Sequence, residues 1–238
     1  MTRKHKFNWS YSTLDVYLNC PRQFYLKKIL KKYTKVKSDN LAIGTGAHGF
    51  LQFYAMHPKA TRRECETAYR NAVEVSKLEH KLAIRQFQPL VKTYMESGKR
   101  LTPKDSTCVE KKYLIDCHGV PFIAYVDIID DKDRVCDYKT SSFPYKTLRV
   151  QESLQLTLYA LCYYEEYGIL PWRVGYQILL KDFSGVQELW DARTLSQIES
   201  ARQLVKTCDD EVQNCTNFEA RRGKKCSYCD YKSSCLGK

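Results

Sequence analysis

Tyr125-Val126-Asp127-Ile128-Ile129 and Val135-Cys136-Asp137-Tyr138-Lys139-Thr140 stand on either side of the polar link Asp130-Asp131-Lys132-Asp133-Arg134. Short runs rich in Val, Ile and Tyr, bounded by turn residues, predict strands. Side chains alternate along a strand, so Tyr125, Asp127 and Ile129 share one face, and Val135, Asp137 and Lys139 share another. A hairpin centred on Lys132 then sets Asp127 directly opposite Asp137. Like charges facing each other across a sheet are destabilising, and apolar neighbours that withdraw water raise the cost. A hard divalent cation such as Mg²⁺ or Mn²⁺ removes that penalty, because it takes carboxylate oxygens and keeps positions for water and phosphate. Lys139 follows Asp137 on the same face. Its ammonium is expected beside such a metal, placed to hold a phosphate or to orient an attacking water. Taken alone, the same residues would also suit an exposed acidic hairpin.

Outward from this hairpin, residues 108–117, 121–129 and 134–139 are strand-like. A helix over about 149–167 follows, ended by Gly168 and Pro171. Strands at 173–180 and 186–190 come next, joined by a turn at Asp182-Phe183-Ser184-Gly185, and a last helix spans about 194–213. Strands in series, a helix, another strand and flanking helices predict an α/β core with a mixed sheet. Upstream, Ser12-Thr13-Leu14-Asp15 reads as a capping box opening one helix that runs to about Lys32. Leu14, Tyr17, Leu18, Phe24, Tyr25 and Ile29 approximate its apolar face. Between Asp15 and Asp39 there is no acid, while Arg22, Lys27, Lys28, Lys31, Lys32, Lys35 and Lys37 supply cations. That run suits a surface tracking a phosphate backbone, and equally a solvated helix end. The Gly-rich stretch after Leu41 predicts a loop entering a second helix. Over 62–99, Tyr69, Ala72, Val73, Leu78, Leu82, Phe87, Leu90, Val91 and Tyr94 recur at near-helical spacing, as one helix or two.

The chain has 238 residues, 43% of them hydrophobic, which is enough for a real core and excludes wholesale disorder. No apolar run approaches the roughly 18 residues that span a bilayer. The first residues, Met1-Thr2-Arg3-Lys4-His5-Lys6, lack a secretory core, so a soluble cytoplasmic protein is expected. The net charge of +12 suits a polyanionic partner, and also plain solubility. The eleven cysteines are an odd number without an export signal, which argues against a disulfide framework and toward metal ligands and buried thiols.

Val126-Asp127, then Val135-Cys136-Asp137-Tyr138-Lys139-Thr140, then Gln155-Leu156-Thr157-Leu158-Tyr159 resembles the RecB-like branch of the PD-(D/E)XK nucleases. The likeness extends to Gly44-Thr45-Gly46-Ala47-His48, similar to the family's G-x-x-x-H element. It extends also to Ser10-Tyr11-Ser12 with Cys20-Pro21-Arg22-Gln23-Phe24, similar to its S-x-S and C-P-x-x-F opening. These elements fall in the family's order over nearly the whole chain, with 62–99 the least family-specific part. The resemblance implies a restriction-endonuclease-like α/β core with a mixed central sheet flanked by helices, a helical subdomain and a C-terminal Cys-rich clasp. The whole of 1–238 would be one nuclease domain: a basic N-terminal helix (1–40), the helical subdomain (41–100), the catalytic core (105–213) and the cysteine tail (214–238).

By the same resemblance His48, Asp127 and Asp137, with the Tyr138 backbone carbonyl, would ligate Mg²⁺ or Mn²⁺, and Lys139 would be the catalytic lysine. Gln155 and Tyr159, one helical turn apart, would contact substrate or brace the site. Glu110 is a further strand carboxylate, read as supporting. Asp137 stands where many relatives carry Glu. Cys226-Ser227-Tyr228-Cys229 and Cys235 form C-x₂-C-x₅-C, and Cys20 would be the distant fourth ligand. Four thiolates suit tetrahedral Zn²⁺ or an iron–sulfur cluster. Relatives with this layout hold a [4Fe–4S] cluster, so that is the expected group, with zinc as runner-up, in a structural role. The remaining cysteines read as packing residues. The implied activity is a metal-dependent DNA nuclease, an exonuclease on single strands or ends, with Arg22, Lys27, Lys28 and Lys31 contacting nucleic acid. The alternative is a DNA-end capture and trimming component of a larger complex, as in CRISPR adaptation. Protein partners in DNA repair, recombination or replication would fit either activity.

Overall fold

The computed structural model describes residues 5–32, 39–75 and 81–236. Its strands are β1 (Val109–Asp116), β2 (Pro121–Ile129), β3 (Arg134–Ser141), β4 (Arg173–Leu180) and β5 (Val186–Asp191). They form one sheet in the order β1-β2-β3-β4-β5. The β2–β3 and β4–β5 pairs are antiparallel and β3–β4 is parallel, so the sheet is mixed as expected. The parallel step is the crossover through α6 (Leu148–Gln151) and α7 (Leu154–Tyr167). The helix expected over 149–167 divides here, because Ser153 leaves the helical conformation and its Oγ accepts from Leu156 N–H at 3.2 Å as an N-cap. Gly168, at φ 70°, closes α7 in the left-handed conformation.

The chain divides into two compact units. One comprises 37–112 and 125–198 and carries the β2–β3 hairpin. In its turn, the fully buried Asp130 accepts from the backbone N–H groups of Lys132 and Arg134 at 3.1 and 2.8 Å. The Arg134 guanidinium neutralises that carboxylate at 2.6 Å. Register follows from this turn: Ile128 pairs with Cys136 and Ile129 with Val135, so Asp127 and Asp137 are the next residues beyond the paired end of the hairpin.

The same unit contains α3 (Asp39–Met56), α4 (Arg62–Val75) and α5 (Lys81–Glu96). Residues 41–57, expected to begin as a loop, are helical almost throughout. The glycines that suggested a loop serve close packing instead. A Cβ on Gly46 would lie 2.5 Å from the Tyr69 ring, and one on Gly49 would collide with Ala72, so α4 can approach α3 only where these side chains are missing. Ile43, Ala47, Phe50, Tyr69, Leu90 and Tyr94 join Ile128, Cys136, Tyr138 and Leu179 in one apolar cluster, which fixes α3 and α5 on the sheet. Within the predicted 62–99 pattern, Leu78 and the side chain of Leu82 lie outside the described residues, as do Lys35 and Lys37 of the cationic run.

The second unit comprises 1–36, 113–124 and 199–238. Its α1 (Tyr11–Asn19) begins before the expected capping box, with Ser10 as the N-cap and Thr13 N–H as donor at 3.3 Å. The single helix expected to Lys32 is broken at Cys20-Pro21. Pro21 has no N–H to continue α1 and drives Cys20 to an extended backbone (φ −162°, ψ 107°). A new turn, α2 (Pro21–Phe24), starts with Pro21 in its first turn and passes into a π-type segment, Tyr25–Ile29. Trp9 is fully buried, donates to Asp209 Oδ1 at 2.7 Å from α8 (Leu195–Asn214), and stacks on Phe24. Tyr17 donates to Glu211 at 2.8 Å and Tyr231 to the Lys32 carbonyl at 2.6 Å, so the chain's first and last segments form one body. Among the described residues no helix is long and apolar enough to cross a membrane.

Candidate functional site

His48 from α3, Glu110 from β1 and Asp127 from β2 each bring one donor atom into a group whose members all lie within 4.8 Å of one another. Asp127 is 6% exposed. Its Oδ2 accepts from the Tyr138 backbone N–H at 2.7 Å and lies 3.4 Å from His48 Nδ1. A Tyr138 amide turned onto a carboxylate is not available to β2, in keeping with β2–β3 pairing confined to the turn end of the hairpin. Glu110 has φ 51°, a left-handed conformation rare for such a residue and worth about 1 kcal/mol or more of strain. Gln52, one helical turn beyond His48 on α3, donates its side-chain amide to Glu110 Oε1.

Asp137, on β3, is 2% exposed and lies beside this group. Its Oδ1 accepts from Gln155 Nε2 at 2.8 Å, and its Oδ2 faces Lys139 Nζ at 2.5 Å. That oxygen is fully buried and takes no well-formed hydrogen bond, so the ammonium charge is what matches it. Gln155 also donates to the Tyr159 hydroxyl at 3.0 Å, which links both α7 residues to Asp137.

Electrostatics follow from this crowding. Burial, then the Asp127 charge, pushes the Asp137 carboxyl up to about 6. Burial and Asp127 raise Glu110 as well. Burial alone would disfavour the His48 imidazolium, but the Asp127 charge and hydrogen bond, aided by Asp137, outweigh it and bring His48 to about 9. Burial likewise opposes the Lys139 charge and is outweighed by Asp137, so its pKa is raised. Two carboxylates and an imidazole around one point, with a third carboxylate alongside, and with Glu110 and Asp137 holding protons too tightly, are a donor set a divalent cation fits.

His48, Asp127, Asp137, Lys139, Gln155 and Tyr159, expected to share one site, lie together in space. Tyr138 enters through its N–H to Asp127. The close three-donor group contains Glu110, which the sequence left as supporting: it precedes Asp127 by a whole hairpin, and no spacing rule ties the two.

Cys20, Cys226, Cys229 and Cys235 line a single recess of the other unit, together with Leu26 and Tyr231. Cys65, Cys108, Cys117, Cys136, Cys162 and Cys208 are buried, as packing residues would be, while Cys215 is half-buried. Arg22 lies over the Tyr25 ring, and Lys27 and Lys28 sit on the π-type segment with Lys31 just beyond it.

A mixed sheet thus carries the His48, Glu110 and Asp127 donors with Asp137 and Lys139 alongside, a set that a divalent cation could occupy. The PD-(D/E)XK nuclease superfamily model matches residues 8–236, and the chain belongs to that superfamily. Among solved structures, the chain is similar to a candidate exonuclease from Eubacterium rectale, with 12% identity, 94% of this chain and 87% of that one covered, and a TM-score of 0.59. It also matches the protein SSO0001, with 15% identity, coverage of 94% and 92%, and a TM-score of 0.41. At 12% identity the likeness to the Eubacterium rectale protein is one of fold. No curated protein matches the sequence.

Proposed function

We propose that this protein is a Mg²⁺- or Mn²⁺-dependent deoxyribonuclease of the RecB-like branch, acting as an exonuclease on single strands or DNA ends. The observation that carries this reading is the His48–Glu110–Asp127 group with Asp137 and Lys139 alongside. His48, Glu110, Asp127 and Asp137 would hold the metal. When bound, the metal supplies an activated water and stabilises charge developing on phosphate. Lys139, fully charged at neutral pH, directs its ammonium to the phosphate oxygens where negative charge grows. Gln155 fixes the Asp137 rotamer, and Tyr159 in turn fixes Gln155. The name of the Eubacterium rectale relative agrees with an exonuclease. The four thiols lining one recess support a [4Fe–4S] cluster held by Cys20, Cys226, Cys229 and Cys235, with Arg22, Lys27, Lys28 and Lys31 nearby in sequence to meet DNA.

Metal must displace protons here. His48 keeps its proton up to about pH 9, and Asp137 up to about 6. A raised pKa on a ligand weakens metal binding below that pKa, so Mn²⁺ affinity should climb about tenfold per pH unit from 6 toward 9, and more steeply below 6. Calorimetric titrations at pH 6, 7 and 8 check this; a flat profile would remove His48 from the ligand set. Activity itself is tested by incubating an end-labelled single strand and a closed circle of the same sequence with Mn²⁺. Loss of the linear strand alone is expected, whereas cleavage of the circle would make the enzyme an endonuclease.

A further inference from the structure

Between β3 and α7 the chain exposes an aromatic and basic segment that the metal site does not use. Phe143 is 78% exposed although it is a large apolar ring. Its backbone is held in place: Ser141 Oγ donates to the Phe143 carbonyl at 2.6 Å, and the Phe143 N–H returns to Ser141 Oγ at 3.2 Å. Pro144 stiffens the next step. Tyr145 is pinned by both arms of the Gln187 amide, its N–H donating to Oε1 at 2.7 Å and its carbonyl accepting from Nε2 at 2.9 Å. The Arg149 guanidinium lies 3.7 Å from the Tyr145 ring centroid. Both Arg149 and Lys146 are exposed, and neither forms an ion pair among the described residues; the one acid in the segment is Glu152.

This display is joined to the reaction site by a short chain of rings. Tyr145 meets Tyr176 edge to face at 5.9 Å, Tyr176 lies 5.7 Å from Lys139 Nζ, and its hydroxyl is 2.6 Å from Ser153, the N-cap of the helix carrying Gln155. A free guanidinium and ammonium on a fixed scaffold fit phosphates, and a fixed exposed ring fits the face of a base. Base faces are open for stacking in an unpaired strand and covered by neighbours in a duplex.

We infer that residues 143–149 form a subsite for single-stranded nucleic acid, with Arg149 and Lys146 on the backbone and Phe143 stacked on a base next to the scissile position. The inference rests on the nuclease reading above and adds the residues that select an unpaired strand. Arg149 and Phe143 would bind the strand directly, and neither touches the metal group.

The test measures binding of fluorescein-labelled oligothymidine, and of a blunt hairpin duplex, to the full protein in EDTA over a range of salt. Phe143→Ala and Arg149→Gln should each weaken oligothymidine binding about tenfold and leave duplex binding nearly unchanged. Arg149→Gln should also lower the salt slope by about one phosphate contact, and Arg149→Lys should restore that slope. Unchanged melting temperature and Mn²⁺ affinity would separate these effects from misfolding, and exposed Phe143 can be removed without disturbing the core. If wild type binds and degrades DNA while the variants bind oligothymidine equally well, the subsite is wrong and the nuclease reading stands. Equal losses on strand and duplex would overturn the single-strand assignment. A wild type that neither binds nor cuts DNA would end both.

Discussion

Asp127→Asn is expected to lower cleavage by at least about 10³-fold while the protein keeps its fold. The side-chain amide still offers a carbonyl oxygen to the Tyr138 N–H, so the contact that shapes the hairpin survives. The charge does not, and that charge sits at the centre of the site: it raises His48, Glu110 and Asp137 together. Removing it takes away a carboxylate ligand and one of the two neighbouring aspartate charges. Two further signs should accompany the lost activity. The His48 imidazole, followed by NMR in metal-free protein, should titrate well below the wild-type value of about 9. Calorimetry should register weak or no Mn²⁺ binding. Activity within tenfold of wild type would mean that Asp127 is a structural acceptor for Tyr138 and that the chemistry lies elsewhere.

Cys226→Ser should act on stability instead. The cysteine recess joins the start of α2 to the C-terminal tail, where Tyr231 reaches the Lys32 carbonyl and Arg221 reaches the Leu18 carbonyl. Those contacts are exposed or only partly buried, and among the described residues the buried apolar side chains of the tail from Cys215 onward are Phe218 and Tyr231. On the proposed reading, a metal group held by the four cysteines would supply much of the free energy that holds the tail. Losing even about 3 kcal/mol of it would drop Tm by roughly 6–12 °C in a chain of this size. Anaerobically purified wild type should be brown, with iron and acid-labile sulfide in equal amounts. The variant should be pale and melt earlier. Colourless wild type with stoichiometric zinc would assign the recess to zinc, and an unchanged Tm in the variant would show that the recess holds no structural metal.

The hairpin was the most legible part of the chain, because its information is local. A polar turn centred on Lys132 sets register, and register puts Asp127 and Asp137 next beyond the paired residues. Strand positions elsewhere followed for the same reason. The helical layer was harder. Gly44, Gly46 and Gly49 carry the composition of a turn, and only the approach of Tyr69 to Gly46 and of Ala72 to Gly49, both distant in sequence, reveals the last two as packing positions within α3. The break at Cys20-Pro21 was open to local reading, since proline cannot continue a helix, but the apolar periodicity across it suggested continuity. Glu110 was legible as a strand carboxylate and no more. Its place beside His48 and Asp127 depends on sheet order and on an unusual φ, and neither has a signature in nearby residues.

The central claim is that the His48, Glu110, Asp127, Asp137 and Lys139 constellation cuts phosphodiester bonds with a divalent metal. The most direct measurement is the cleavage assay on end-labelled single-stranded DNA, run with Mn²⁺, with Mn²⁺ followed by EDTA, and with the Lys139→Ala protein in parallel. Wild type should degrade the strand only while Mn²⁺ is present, and Lys139→Ala should do so about 10²–10³-fold more slowly. DNA left intact by wild type in Mn²⁺, or cut equally well by Lys139→Ala, would contradict the account.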